Sequence, residues 1–511
     1  MSHTEKKTYG QILKSSVLIG GSSAVNVCFR IVRTKAMALI LGPSGVGLLG
    51  VFDSIAELTR SIAGMGVYAS GVRQIAEAVG TGDTHRIART VSTLRRVAFY
   101  SGLLGALSLV ILCYPVSHLT FGDNNHAAAI ALLALAVFCG DVSAGQGALV
   151  QGMRQIADLA RISMWGALYG TVFSIPIVYF FGESGVVPSL VCVAAMGVLT
   201  SWWYARKIKV EKVVISLREV IFETSKLLRL GFVFMSSGLM VVGSAYLVRI
   251  IILRRIGVEA TGFYQAAWGL GGLYVGFILQ AMGADFYPRL TAVAKDDPEC
   301  NRLVNEQAEV GLLMAGPGLL GTLTFAPFVI GLLYSSKFEP AVEILRWICL
   351  GMILRVASWP MGFMLIAKGK GAIYFWSELA SNLVYVSFLW FGVVAYGLKG
   401  VGMAFFGSYV VYWLGIYLIV RRLSGFRWSS ANLSLAGMLS PGIAAVFVGW
   451  YFLPALVAMI SGTVVTLVVG IYSLKTLCTL VPLQRFPKPV QKIILLFRLA
   501  SPATDMEPPL Q

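Results

Sequence analysis

The chain has 511 residues, 57% of them apolar and 13% charged, with a net charge of +17. That balance excludes a soluble globular domain and a protein held by a single anchor; it is the composition of a polytopic helical membrane protein. In a soluble chain the excess of Lys and Arg would point to nucleic acid, but here it gathers in short segments between apolar runs, where it sets orientation, and no nucleic-acid partner is expected.

Apolar windows of about 20 residues predict about fourteen spans. They fall near 15–41, 46–72, 97–116, 127–150, 162–182, 185–205, 230–253, 260–285, 304–334, 340–367, 373–396, 400–420, 433–452 and 455–475. Residues 1–14 are polar, with Lys6, Lys7 and Lys14 and no small-residue cleavage pattern, so the first span reads as retained. With the N-terminus inside, the inner segments hold most of the cations. Arg73, Arg86, Arg89, Arg95 and Arg96 fall in one loop, and Arg206, Lys207, Lys209, Lys212, Arg218, Lys226 and Arg229 in another. Outer loops are nearly bare, Lys337 and Lys399 apart, and an even number of spans returns the C-terminus inside.

The charges that break this rule carry the information. Arg30, Arg33 and Lys35 lie inside the first span. Its run from Ser15 to Leu41 makes roughly 40 Å of helix, which puts Arg30 and Arg33 near mid-depth or just beyond it. A charge there costs about 3 kcal/mol and should face a protein-lined or water-filled interior, so the run predicts a cationic cavity; snorkelling or internal pairing is the alternative for any one of them. After the break at Gly42-Pro43-Ser44-Gly45, the second span places Asp53, Glu57 and Arg60 on one helical face, either as a site for a cation or proton or as partners for Arg30 or Arg33. Asp141 lies in the fourth span, Arg249 in the seventh, Arg355 in the tenth and Glu378 in the eleventh. Glu343 with Arg346, and Asp285 with Arg289, read as interfacial pairs near span ends.

Cys28, Cys113, Cys139, Cys192, Cys300, Cys349 and Cys478 stand singly, and the four histidines lie in the tail or loops, which gives no disulfide frame, metal site or histidine catalysis. No cofactor is expected. After the last span, Pro489 to Ala500 reads as a basic interfacial helix.

Laid over itself at an offset of about 215, the chain matches Leu41–Gly47 with Ile256–Gly262, and Gly102–Ser108 with Gly318–Thr324. Arg33 then falls on Arg249, and with a small drift Asp141 falls on Arg355. Six spans per repeat keep orientation, so the expected architecture is all-α, with two six-helix lobes related by a parallel repeat about a central cleft and an extra C-terminal hairpin. The expected divisions are an N-lobe over 1–205, a basic linker over 206–229, a C-lobe over 230–420, the hairpin over 421–480 and an inner tail over 481–511. Matching Arg residues on the first helix of each lobe suit one anionic ligand held between them, with internal ion pairing as the other reading.

The opening hairpin, Lys35-Ala36 leading to Leu41-Gly42-Pro43-Ser44-Gly45-Val46-Gly47-Leu48 and then Gly64-Met65-Gly66-Val67, resembles that of the bacterial Wzx-type O-antigen translocases of the multidrug/oligosaccharidyl-lipid/polysaccharide exporter superfamily. The resemblance covers roughly residues 10–420, and the hairpin at 433–475 departs from the twelve spans common in that family. It implies a flippase of the inner membrane that moves undecaprenyl-pyrophosphate-linked oligosaccharide from the cytoplasmic to the periplasmic leaflet, beside a polymerase and a ligase or chain-length regulator. The pyrophosphate would be gripped by Arg30, Arg33, Arg249 and Arg355, chosen by depth and repeat position. Asp53, Glu57, Arg60, Asp141 and Glu378 are the candidates for charge partners or for proton or sodium coupling. A cation-coupled drug exporter of the same superfamily would favour a cavity dominated by carboxylates. A membrane polymerase or ligase would need a long outer or acidic loop, and Ser117 to His126 offers only Asp123 and His126. No phosphate-binding loop for nucleotide hydrolysis occurs.

Overall fold

The computed structural model describes residues 3–208 and 217–480. The interfacial helix expected over Pro489–Ala500 lies outside them. Sixteen α-helices follow in order: α1 (His3–Ala63), α2 (Val67–Thr81), α3 (Thr84–Ile111), α4 (Cys113–Phe121), α5 (Ala127–Gly152), α6 (Ile156–Phe181), α7 (Val186–Ala205), α8 (Leu217–Arg255), α9 (Val258–Ala292), α10 (Asp297–Thr324), α11 (Ala326–Leu333), α12 (Ala341–Ala367), α13 (Gly371–Tyr396), α14 (Leu398–Ser424), α15 (Ser430–Phe452) and α16 (Ala455–Leu480). Among the described residues there is no strand. Backbone polar groups in hydrocarbon must be satisfied within the segment, and helices do this.

Among the described residues, nine stretches are long and apolar enough to cross a bilayer, or up to eleven when two bent pairs are included. Two of the nine are longer than one crossing: Val25–Ala63 has 39 residues and Ile156–Ala205 has 50. Each holds two of the expected spans, because a bilayer core takes about 20 residues of helix. Within α1 the division falls at Gly42, with φ 67° and ψ −166°, followed by Pro43.

Several spans end where the apolar pattern did not. The second stops at Gly64, and Met65 and Gly66 take left-handed φ of 43° and 66° before α2 begins. A side chain at Gly66 would sit 2.1 Å from the Gly231 carbonyl oxygen, so only glycine lets the two backbones pass. The ninth span bends by 80° between α10 and α11, and a similar break at Leu112 separates α3 from α4. The cations read as loop residues are helical. Arg73 lies on α2, and Arg86, Arg89, Arg95 and Arg96 lie on α3, whose N-terminus is capped by the Asp83 carboxylate accepting from the Arg86 amide at 3.1 Å.

The chain forms two compact units. Unit 1 comprises residues 1–265 and 333–338, and unit 2 comprises 266–332 and 339–511. In unit 1, α3 packs on α5, α5 on α7 and α6 on α7; in unit 2, α10 packs on α12, α12 on α14 and α13 on α14. These three pairings correspond when the helices are taken in register. Backbone shape recurs too. Left-handed φ occurs at Gly42, Arg154 and Gly182 and again at Gly257, Gly369 and Gly397, each pair 215 residues apart. Gly182 (φ 57°, ψ −134°) and Gly397 (φ 56°, ψ −131°) share one conformation that only glycine adopts freely.

Among the described residues, unit 1 has one core around Val51, Phe52, Ile130, Leu133 and Val137 and another around Ile75, Leu94, Leu149 and Leu227. Unit 2 has its own around Phe286, Leu290, Met361, Met364 and Phe426. The C-terminal hairpin belongs to unit 2, with both α15 and α16 packed on α10. Asn305 ties it in place: its side-chain oxygen accepts from the Ser429 amide at 2.8 Å and from the Asn432 side chain at 3.0 Å.

Candidate functional site

The second half of α1 turns one charged face to its surroundings, because Asp53, Glu57 and Arg60 are spaced four and three apart. Asp53 and Glu57 are exposed, while the flanking Val51, Phe52, Ile55 and Ala56 are buried. Around this face unit 1 gathers the other predicted charges. Asp53 and Arg30 act electrostatically on Arg33, and Asp53, Arg249 and Arg60 act on Glu57. The strip therefore carries Arg30, Arg33, Arg60 and Arg249 against Asp53, Glu57 and Asp141, an excess of one positive charge.

The pairings within it are specific. Arg249 donates from Nε and Nη2 to the Gln265 side-chain oxygen at 3.2 and 3.0 Å, and from Nη1 to the Ala245 carbonyl at 2.9 Å. These acceptors are neutral, so they hold the guanidinium in place, and Glu57 is the carboxylate that feels its charge. Among the described residues, Arg30 and Arg33 make no hydrogen bond or ion pair. Of the partners expected for this face, Arg33 feels Asp53 without direct contact, and the direct ion pair joins Arg60 to Asp141 of α5 at 3.6 Å. Asp141 is only 6% exposed and its Oδ2 is buried without a donor. Gly140 makes room for the guanidinium, since a Cβ there would meet Arg60 Nε at 2.5 Å. The pair lines a cavity of about 350 Å³ with Glu57, Tyr68, Ser101 and Met235. Tyr68 donates to the Gln151 side-chain oxygen at 2.5 Å on its wall, a contact that no spacing in the sequence announced.

Arg355 and Glu378 lie in unit 2, where the sequence left them unconnected. Tyr412 donates to Glu378 Oε1 at 2.6 Å, and Arg355 acts electrostatically on both Glu378 and Tyr409. The aromatic members of this cluster, Tyr374, Tyr409 and Tyr412, went unnoticed in the sequence because tyrosine is common at helix surfaces in membranes. Among the described residues no group of three His, Cys, Asp or Glu side chains could hold a metal ion.

The model of a family described as polysaccharide biosynthesis protein matches residues 36–343, which takes in the α1 face, the Arg60–Asp141 pair and Arg249. The chain belongs to the polysaccharide biosynthesis protein family. This member is similar to the lipid III flippase of Escherichia coli (strain K12), 21% identical over 420 residues that cover 80% of this chain and 99% of the relative. It is also similar to a candidate O-antigen transporter of Shigella flexneri, 24% identical over 420 residues covering 77% and 94%. Its fold is shared with lipid II flippase MurJ in an inward closed conformation, with a TM-score of 0.64 at 15% identity over 91% of this chain and 99% of that one. An inward-facing multidrug resistance MATE family transporter of the MOP superfamily has a TM-score of 0.63 at 18% identity, covering 78% and 95%. As a polysaccharide biosynthesis protein it is therefore a multi-pass helical membrane protein whose relatives are transporters and flippases.

Proposed function

We propose that this protein flips an undecaprenyl-pyrophosphate-linked oligosaccharide, of the O-antigen kind or a related one, from the cytoplasmic to the periplasmic leaflet of the inner membrane by alternating access. The observation that carries this reading is the cationic excess of the unit 1 strip: four guanidiniums face three carboxylates, and among the described residues Arg30 and Arg33 make no hydrogen bond or direct ion pair while Arg249 is held on neutral acceptors. A cationic excess where water is scarce favours an anionic ligand, and guanidinium matches phosphate oxygens in bidentate fashion. Within unit 2, Arg355, beside Glu378 and Tyr409, is proposed as a cation for an anionic group. The recurrence of backbone shape and of helix pairings across the chain supports two lobes related by a parallel repeat. Asp53, Glu57, Asp141 and Glu378 are the groups through which a proton or sodium ion would be coupled. Both termini are placed in the cytoplasm, because that orientation keeps the cations of α2 and α3 inside.

The fold is equally that of multidrug transporters, so fold does not separate the readings. The balance of charge favours the anion: Arg30, Arg33, Arg60 and Arg249 outnumber Asp53, Glu57 and Asp141 by one.

The test uses a cell that makes the lipid-linked repeat unit but lacks its own flippase, scored for surface glycan with each variant checked for membrane abundance. Wild type should restore the glycan, and Arg33→Ala, Arg249→Ala and the double variant should abolish it. Restoration that survives the double variant discards the site and keeps the function. Failure of wild type with every available repeat unit, together with efflux of organic cations, overturns the function.

A further inference from the structure

A second cavity, of about 930 Å³, lies wholly within unit 2, where the α10–α11 bend, the starts of α12, α14 and α16 and the end of α15 come together. Its walls are apolar, with Phe325, Phe328 and Leu456 among them, and it is lined by two cations, Arg346 and Lys399, and two carboxylates, Glu339 and Glu343. The balance is neutral, so neither a simple anion nor a simple cation is its natural occupant.

The internal pairing sharpens this. Glu343 does not pair with Arg346 as the sequence spacing implied; its Oε1 lies 3.2 Å from Lys399 Nζ and accepts from Tyr451 at 3.2 Å. Arg346 feels the Glu343 charge without touching it, so Arg346 and Glu339 are the two charges of the cavity with no direct ion pair among the described residues. Among the described residues Arg346 makes no hydrogen bond or ion pair; its guanidinium lies 4.2 Å from the centre of the Trp450 ring, and both Arg346 Nε and Trp450 Nε1 are buried with nothing to donate to. Buried N–H groups without an acceptor are uncommon in folded proteins and call for an explanation. Glu339 is exposed, and among the described residues its carboxylate has no partner.

Two donors in want of an acceptor-only group, and a carboxylate in want of donors, are the complement of one zwitterion: a phosphate joined to a primary ammonium. A tryptophan and a tyrosine at the end of a spanning helix place the cavity at headgroup level. The geometry points to this cavity as the seat of a bilayer phospholipid with a phosphoethanolamine headgroup. Its phosphate would lie against Arg346 and Trp450, its ammonium at Glu339, and its acyl chains along Phe328 and Leu456. A choline headgroup has no N–H to give Glu339, and a glycerol headgroup has no cation. The site uses none of the charges assigned to the transported substrate, so it stands or falls apart from that assignment.

The experiment is native mass spectrometry of the full chain, delipidated in detergent and titrated separately with palmitoyl-oleoyl phosphatidylethanolamine, phosphatidylcholine and phosphatidylglycerol. One phosphatidylethanolamine should be retained at about tenfold lower concentration than either of the others, the scale of one charge-assisted contact. Arg346→Gln and Trp450→Phe should each weaken its retention, the first by about tenfold. Glu339 is exposed, so Glu339→Gln leaves packing intact and should erase the preference over phosphatidylcholine while leaving binding of the latter unchanged. Equal retention of all three lipids by wild type, or an unchanged preference in Glu339→Gln, overturns the assignment.

Discussion

Arg60→Met should destabilise unit 1 through a residue it does not replace. Asp141 is almost wholly buried, its Oδ2 has no donor, and the ion pair with Arg60 spans 3.6 Å. Removing one member of a buried ion pair costs about 3–5 kcal/mol, because the charge left behind has neither water nor partner. Here the penalty is smaller, since the Arg60 side chain is 41% exposed and partly screened. That exposure brings the expected loss to about 2 kcal/mol. For a unit of this size each kcal/mol moves the unfolding midpoint by about 2–4 °C, so the variant should melt about 4–8 °C below wild type. Tryptophan fluorescence against temperature, in one detergent, would follow Arg60→Met, Asp141→Asn and the double variant. The double variant should be more stable than the two single losses added together predict, by about 1.5 kcal/mol or more. Strict additivity, or an Arg60→Met protein that melts with wild type, would refute the claim that this pair holds α1 to α5.

Other expectations follow from backbone and side-chain geometry. Arg154 has φ 58°, and Gly369, 215 residues further on, has φ 70°. Gly369→Ala meets no atom within 4 Å, so its cost is conformational alone, about 1 kcal/mol, read as a lower unfolding midpoint, while Arg154→Gly should leave stability unchanged or raise it. A Cβ on Gly400 would lie 1.9 Å from the Gly392 carbonyl oxygen, so Gly400→Leu should force α13 and α14 apart and abolish a monodisperse peak in size-exclusion chromatography. Glu378→Gln and Tyr412→Phe should each lower the melting midpoint, and in a double-mutant cycle their coupling should be about 1.5 kcal/mol, as for a hydrogen bond to a charged group.

Much of the architecture was legible because hydrocarbon imposes one long apolar signal per span and allows few kinds of element. The division at Gly42-Pro43 was readable from residue type. What the pattern concealed was where helices stop for reasons other than polarity. Nothing in the hydropathy of Gly64-Met65-Gly66 distinguishes a continuing helix from a break, and the break is explained by the Gly231 backbone pressing against it from a segment some 165 residues away. The α10–α11 bend at Phe325 falls in a continuously apolar run and was invisible for the same reason. At the candidate site, the helical face Asp53-Glu57-Arg60 was fixed by periodicity, yet the partner of Arg60 was not, because α5 could have presented Asp141 to any neighbour. The glycine before Asp141 was the one available signal, and its meaning depends on knowing which side chain needs the space. Asp285 with Arg289 formed as expected, at 3.2 Å, because that pair is local to one helix, whereas Glu343 took Lys399 from another.

The twin turns at Gly182 and Gly397 offer something practical. A side chain at either would meet no atom within 4 Å, and the two share one backbone shape. An epitope or a dye placed at one has its natural control at the other, under the same local strain and the same open surroundings. Any difference in signal between the two can then be assigned to what each unit does during turnover and not to the attachment itself.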